Sequence, residues 1–173
     1  ASTHSFSVSA EGEVVGIPDV AKFTFSVITQ GGKDISSLEK GNAEKVNKAV
    51  AFLKDSGVEK KDIKTESYNL TPRYTSCYYR AGETCLPSEI TGYEISQTTS
   101  VKARDFSKVG DLLSGVVLSG ANSVSSLSFE IDDQTALENT ARSEAITKAR
   151  EKARQIAKEG NFRLGKLLSV NES

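Results

Sequence analysis

The stretch AKFTFSV, residues 21–27, alternates strictly. Ala21, Phe23, Phe25 and Val27 are apolar, and Lys22, Thr24 and Ser26 between them are polar. Successive side chains of a strand point to opposite faces. This pattern therefore predicts a strand with one face in a core and the other against water or a partner. The same period of two sets Phe6, Val8 and Ala10 against Ser5, Ser7 and Ser9. It places Tyr68, Leu70, Pro72 and Tyr74 on one side of DIKTESYNLTPRY, and it sets Tyr93, Ile95, Val101 and Ala103 against Glu94, Ser96, Ser100, Lys102 and Arg104. SVSSLSFEI reads as a further strand with Leu127, Phe129 and Ile131 inward, and LGKLLSV as a last one. Pro72 puts the end of its strand at an edge or a bulge.

A sheet with one apolar face must bury it, and the segments between the strands supply the cover. From about Ser36 to Ser56, Leu38, Val46, Ala49, Val50 and Leu53 form a helical stripe. Ser36 and Glu39 stand at capping-box spacing, and Gly57 follows as a left-handed stop. Asn42 falls on that stripe, where a hydrogen-bonded structural role is expected of it. Asp105 can cap a shorter helix carrying Phe106, Val109, Leu112, Leu113 and Val116, which stops near Gly120. A long helix is predicted from about Gln134 to Glu159, with Asp132 and Asp133 suited to its start. Two strand–helix–strand units recur, Phe23 to Leu70 and Tyr93 to Ile131, without a sequence repeat between them. The expected fold class is α+β: a mostly antiparallel sheet with helices packed on one face, order ββαβ–βαβαβ, with a long disulfide-tipped hairpin. No linker or low-complexity run divides the 173 residues, so a single domain spanning 1–173 is expected.

Both cysteines stand in CYYRAGETC, Cys77 to Cys85. A structural zinc site needs about four Cys or His ligands, and the one histidine, His4, is far away in sequence. A redox pair of the CxxC kind needs two intervening residues, and here there are seven. A disulfide across the hairpin tip fits best and contributes roughly 2.5 kcal/mol on the chain-entropy model. Two unrelated free thiols are the remaining reading. The disulfide implies an oxidising compartment. The chain opens ASTHSF and has no methionine anywhere, which fits removal of a secretory signal, although a trimmed terminus would read the same.

Charge excludes some partners. A net charge of −1 gives no field toward nucleic acid or an anionic membrane, and no apolar run approaches the roughly 20 residues of a spanning helix. In the last helix Ala141, Ala145, Ala149, Ala153 and Ala157 repeat every fourth residue, a ridge that permits close approach of a neighbour. The bases around it are interleaved with acids and lack aromatic companions. A solvated face is therefore expected rather than a nucleic-acid surface. The GGK at Gly31–Lys33 lacks the upstream glycine and the following Ser or Thr of a phosphate loop. No GxSxG elbow is present. Acid–base chemistry by other carboxylates stays open. Asn69-Leu70-Thr71 and Asn171-Glu172-Ser173 match the glycosylation sequon, a pattern short enough to arise by chance. Tyr74, Tyr78 and Tyr79 cluster at the hairpin tip and are candidate oligomer contacts, since Tyr is favoured at interfaces. Tyr68 and Tyr93 are expected to cover the core.

Taken in order, VSAEGEVVGIPDVAKFTFSV, DIKTESYNLTPRY, ITGYEIS leading to SVKARDFSKVGDLL, SGANSVSSLSFEID, ARSEAITKAREKARQIAKEG and LGKLLSV resemble the SIMPL-domain family almost end to end. Its bacterial members include periplasmic oxidative-stress-defence proteins and Brucella-type immunogenic envelope antigens. The resemblance implies an exported bacterial protein with the α+β fold read above, self-assembling rather than catalytic, with no catalytic residues to carry over. The segment TSCYYRAGETCLPSE departs from the family pattern, so residues 75–89 read as a disulfide-closed insertion in a SIMPL-like domain. The expectation is a non-enzymatic cell-envelope protein that forms a homo-oligomer, with no cofactor and no metal, linked by resemblance to stress defence. The alternative is a periplasmic binder of small ligands or peptides in a groove between sheet and helices.

Overall fold

A computed structural model of the chain describes residues 4–77, 82 and 84–173. These form two compact units, one of residues 18–130 and one joining the N-terminal segment up to Ile17 with Ile131–Ser173.

The larger unit begins with β1 (Val20–Gly31), where the alternation of AKFTFSV becomes geometry: Ala21, Phe23, Phe25 and Val27 are buried and the polar residues between them are half-exposed. Helix α1 (Ile35–Asp55) and a single 3-10 turn follow, then β2 (Ile63–Tyr74) and β3 (Ile90–Ala103). A second 3-10 turn leads into α2 (Val109–Leu118), and the short strands β4 (Ser123–Val124) and β5 (Ser128–Glu130) complete the unit. The sheet order is β2-β3-β1-β4, with β5 also on β1, and every pairing is antiparallel. Strands β1 and β2 therefore run parallel with β3 between them, and β3 and β4 run parallel with β1 between them. Each pair is joined through a helix. Two interleaved split β-α-β units of this order make a ferredoxin-like layer. Both helices cover the apolar face. Val46, Ala49 and Leu53 of α1, with Val109, Leu112 and Val116 of α2, share one core with Phe23, Phe25, Val27 and Val101.

The α+β class stands, and the differences from expectation have local causes. Helix α1 starts at Ile35 because the Asp34 carboxylate accepts from the Ser37 amide at 3.3 Å; Ser36 lies inside the helix rather than capping it. The helix over Phe106–Leu118 starts as a 3-10 turn because Asp105 accepts from both the amide and the hydroxyl of Ser107. The segment expected as one strand from Ser123 to Ile131 is two short strands. Between them the exposed Ser125 bonds to β1 out of the ladder, its hydroxyl accepting from the Thr24 amide at 2.8 Å, and Phe129 is 56% exposed instead of inward.

In the smaller unit, α3 (Thr135–Glu159) starts where Asp133 accepts from the Thr135 amide at 3.0 Å. The expected first strand, Phe6–Ala10, and last strand, Leu164–Val170, belong to no ladder among the described residues. The alternation at the N-terminus is nonetheless real. Val8, Ala10, Gly12, Val14 and Gly16 are half-buried and their neighbours are exposed. The side they present meets a helix rather than a strand, since Gly12 lies against the Ala141 carbonyl, where any Cβ would collide. The alanine ridge thus admits an extended strap. Period two reports an extended chain with one covered side, not what covers it.

Candidate interaction surface

Strands β2 and β3 form a long ribbon that carries the cysteines. Its register runs from Ile63 opposite Val101 to Tyr74 opposite Ile90, with irregularities at Thr65/Ser67 and at Arg73/Tyr74. Beyond the last pair the Thr75 amide donates to the Glu89 carbonyl at 2.9 Å, and the Glu89 amide donates to the Thr75 hydroxyl at 3.1 Å. Cys77 and Cys85 are joined as a disulfide, with Cα atoms 5.9 Å apart. The bridge therefore ties the two chains of the ribbon just past its last hydrogen bonds at Thr75 and Glu89. Tyr78 and Tyr79 lie outside the described residues. Tyr74 is 55% exposed at the foot of the tip.

The ribbon carries the core face of the sheet outward. Tyr68 faces Gln97, Leu70 faces Ile95 and Pro72 faces Tyr93, on the same face as Phe25 and Val27. Yet β2 contributes no buried side chain, because α1 and α2 make their core with β1 and β3. Tyr68, expected to cover the core, is 49% exposed, and Leu70 is 41% exposed. The alternation of β2 could identify this side but not the extent of the helices over it. The outward edge of β2 is blunted by the Glu66 bulge, by Pro72 and by Lys64 and Arg73.

The opposite face of the sheet is lined with hydroxyls. Ser26 and Thr98 share a hydrogen bond of 2.8 Å across β1 and β3, and Thr24 stands opposite Ser100. At the end of the sheet Arg104 donates from two nitrogens to the Asp62 carboxylate, both at 2.9 Å, clamping the start of β2 to the end of β3. A cleft of about 140 Å³ opens beside this pair, between Ser56, Gly57 and Lys108. That is below the roughly 300 Å³ at which small-molecule pockets begin. The space between sheet and helices, where the alternative function would hold a ligand, is filled by Phe23, Phe25, Leu53 and Leu112.

On α3 two of the bases are paired with acids: Lys148 meets Glu144 at 2.6 Å, and Arg142 meets Glu172 at 2.8 Å. Hydrogen bonds from Lys148 and Arg142 hold Glu144 and Glu172 below the ordinary carboxylate range. Among the described residues no cluster of His, Cys, Asp and Glu is arranged to hold a metal ion, and no helix is long and apolar enough to cross a membrane.

The SIMPL family profile, described as a protein of unknown function (DUF541), matches residues 6–173. The chain belongs to the SIMPL family. Among its relatives, the 26 kDa periplasmic immunogenic protein of Brucella melitensis is 30% identical over 166 residues, 96% of this chain and 65% of the relative. The uncharacterized protein YggE of Escherichia coli is 29% identical over 162 residues, 94% of this chain and 63% of its own length. This SIMPL chain thus spans a little under two thirds of the relatives it matches. The Brucella melitensis relative and its Brucella abortus counterpart, 29% identical to this chain, are both named as periplasmic, and the Cys77–Cys85 bridge belongs to the same kind of oxidising compartment, so the chain is an exported protein.

Proposed function

We propose that this SIMPL chain is a non-enzymatic cell-envelope protein that acts by assembling into a homo-oligomer, with the β2–β3 ribbon as its contact surface. The observation that carries the reading is the apolar strip of Tyr68, Leu70 and Tyr74, half-exposed on a ribbon whose tip is tied by a disulfide. Tyrosine is enriched where proteins meet, and a pre-ordered ribbon loses little freedom on binding. A second copy is the partner that fits. Related by a two-fold axis, two such strips are complementary to each other. The blunted β2 edge argues for face-on contact rather than strand addition. A link to stress defence, implied by the family resemblance, is part of the proposal.

Light scattering and native mass spectrometry of the oxidised chain test the reading. The wild type is expected as a discrete multimer, and Tyr68→Lys combined with Leu70→Lys is expected to return it to monomer with its circular dichroism unchanged. Assembly of the double variant as in wild type would remove the ribbon from the interface.

A further inference from the structure

The Cys77–Cys85 bridge stands apart from what holds the rest of its unit together. No described residue from Tyr74 to Ile90 belongs to the core or packs against it. The register of β2 on β3 is already irregular between Arg73 and Tyr74. Past the Tyr74–Ile90 pair, two hydrogen bonds between Thr75 and Glu89 join the strands among the described residues. A disulfide embedded in a core opens only when that core unfolds. This one has no such tie, so it can open while the sheet stands. Its sulfurs are also accessible, since Cys77 is exposed and Cys85 is half-buried. Exposed bridges are the ones that exchange readily with external thiols.

We propose that the bridge is a redox switch of the ribbon: an external dithiol opens it in the folded protein and so loosens the contact with a second copy. The exchange runs in two steps. One thiolate of the dithiol attacks the Sγ of Cys77, the more exposed sulfur. A mixed disulfide forms there, and Cys85 leaves as a thiolate. The second thiolate of the dithiol then attacks the dithiol's own sulfur in the mixed disulfide, and Cys77 leaves in turn. Two electrons pass to the bridge, the dithiol ends as a disulfide, and its two protons end on Cys77 and Cys85.

Opening removes the covalent tie across the end of the ribbon. The two exposed hydrogen bonds at Thr75 and Glu89 are too few to hold a pair of strands against the freedom they regain. Tyr74, next to Thr75 and 55% exposed at the end of the apolar strip, then loses its fixed place. Tyr68 and Leu70 keep theirs, because the register from Ser67 to Arg73 is unbroken. Binding has to order the ribbon end again, a cost that the closed bridge removes in advance. The inference rests on the self-assembly reading, because a second copy is what the loosened ribbon holds less tightly.

The test adds dithiothreitol to the full oxidised chain, without denaturant, and follows intact mass, amide exchange and association. The mass is expected to rise by two hydrogens per chain while the amides of β1 stay protected. Amides of Tyr74–Cys77 and of residues 84–90 are expected to exchange faster, and association to weaken at least about fivefold. Cys77→Ser combined with Cys85→Ser is expected to associate like the reduced wild type, with or without dithiothreitol. Reduction that waits for the sheet to unfold overturns the switch, and so does a reduced chain that associates as tightly as the oxidised one. In either case the ribbon reading stands if Tyr68→Lys with Leu70→Lys still dissociates. A wild type that is monomeric while oxidised overturns the ribbon reading itself, and the switch with it.

Discussion

Three residues in the left-handed region end the three helices, and each does so in the same way. Gly57, Gly120 and Asn161 have φ of 96°, 119° and 54°. The amide of each closes on a carbonyl three residues back, and the following residue's amide reaches five residues back: Val58 to Leu53, Ala121 to Val116 and Phe162 to Ala157, all 3.0 Å. A Cβ at such a φ costs about 1 kcal/mol or more, which glycine avoids and asparagine partly tolerates. Gly57→Ala and Gly120→Ala are therefore expected to lower stability by about 1 kcal/mol or more each, and Asn161→Gly to leave it equal or raise it by some tenths. Urea unfolding midpoints decide this, and a loss on Asn161→Gly would contradict it. Asn42 is 1% exposed and donates to the Val27 carbonyl and the Thr29 hydroxyl, both at 3.0 Å, pegging α1 to β1. Asn42→Ala is expected to cost about 1–3 kcal/mol, measured in the same way. Four exposed carboxylates titrate below their ordinary range: Asp105 through Ser107, Asp133 through Thr135, Glu144 through Lys148 and Glu172 through Arg142. A folded pKa below the unfolded one gives stability that is present above the unfolded value and lost as pH falls through the folded one. Unfolding midpoints are expected to hold steady down to about pH 5 and to fall below about pH 4, less steeply in high salt.

Among elements, the ribbon and the helix pair make the clearest predictions. Replacing both Cys77 and Cys85 by serine is expected to cost up to about 2.5 kcal/mol, with faster amide exchange confined to the end of the ribbon near Thr75 and Glu89. Loss of protection across the whole sheet would contradict the local role. Gly115 of α2 faces the ring of Phe52 on α1, where a Cβ would overlap it. Gly115→Ala is therefore expected to destabilise by about 1–3 kcal/mol, read from thermal unfolding. The elements legible in sequence were those whose signals are local. The alternation at Ala21–Val27, the stripe of Leu38, Val46, Ala49 and Leu53, the stops at Gly57 and Gly120, and the cysteine spacing each depend on near neighbours in the chain. What was not legible depends on distant chain. Phe6–Ala10 carries a strand's pattern but lies on α3. Leu164–Val170 carries a strand's composition but belongs to no ladder among the described residues. Tyr68 sits on the core face, yet nothing in its surroundings in sequence records that the helices leave β2 uncovered. Contact surfaces suffer most from this, because a side chain meant for a partner and one meant for the core obey the same alternation.

For the molecule as a whole, the two units present unlike surfaces. The ferredoxin-like unit buries a packed core and leaves apolar side chains exposed on the ribbon at Tyr68, Leu70 and Tyr74 and elsewhere at Val117, Leu118 and Phe129. The α3 unit buries only Ala157 along its helix and leaves Leu167, Leu168 and Val170 in solvent. The proposed assembly would cover the ribbon strip. The most direct test is native mass spectrometry of the oxidised chain across a concentration series. A discrete multimer that dissociates on dilution, and that Tyr68→Lys with Leu70→Lys holds as monomer, is the predicted result. A monomer at every concentration would contradict it.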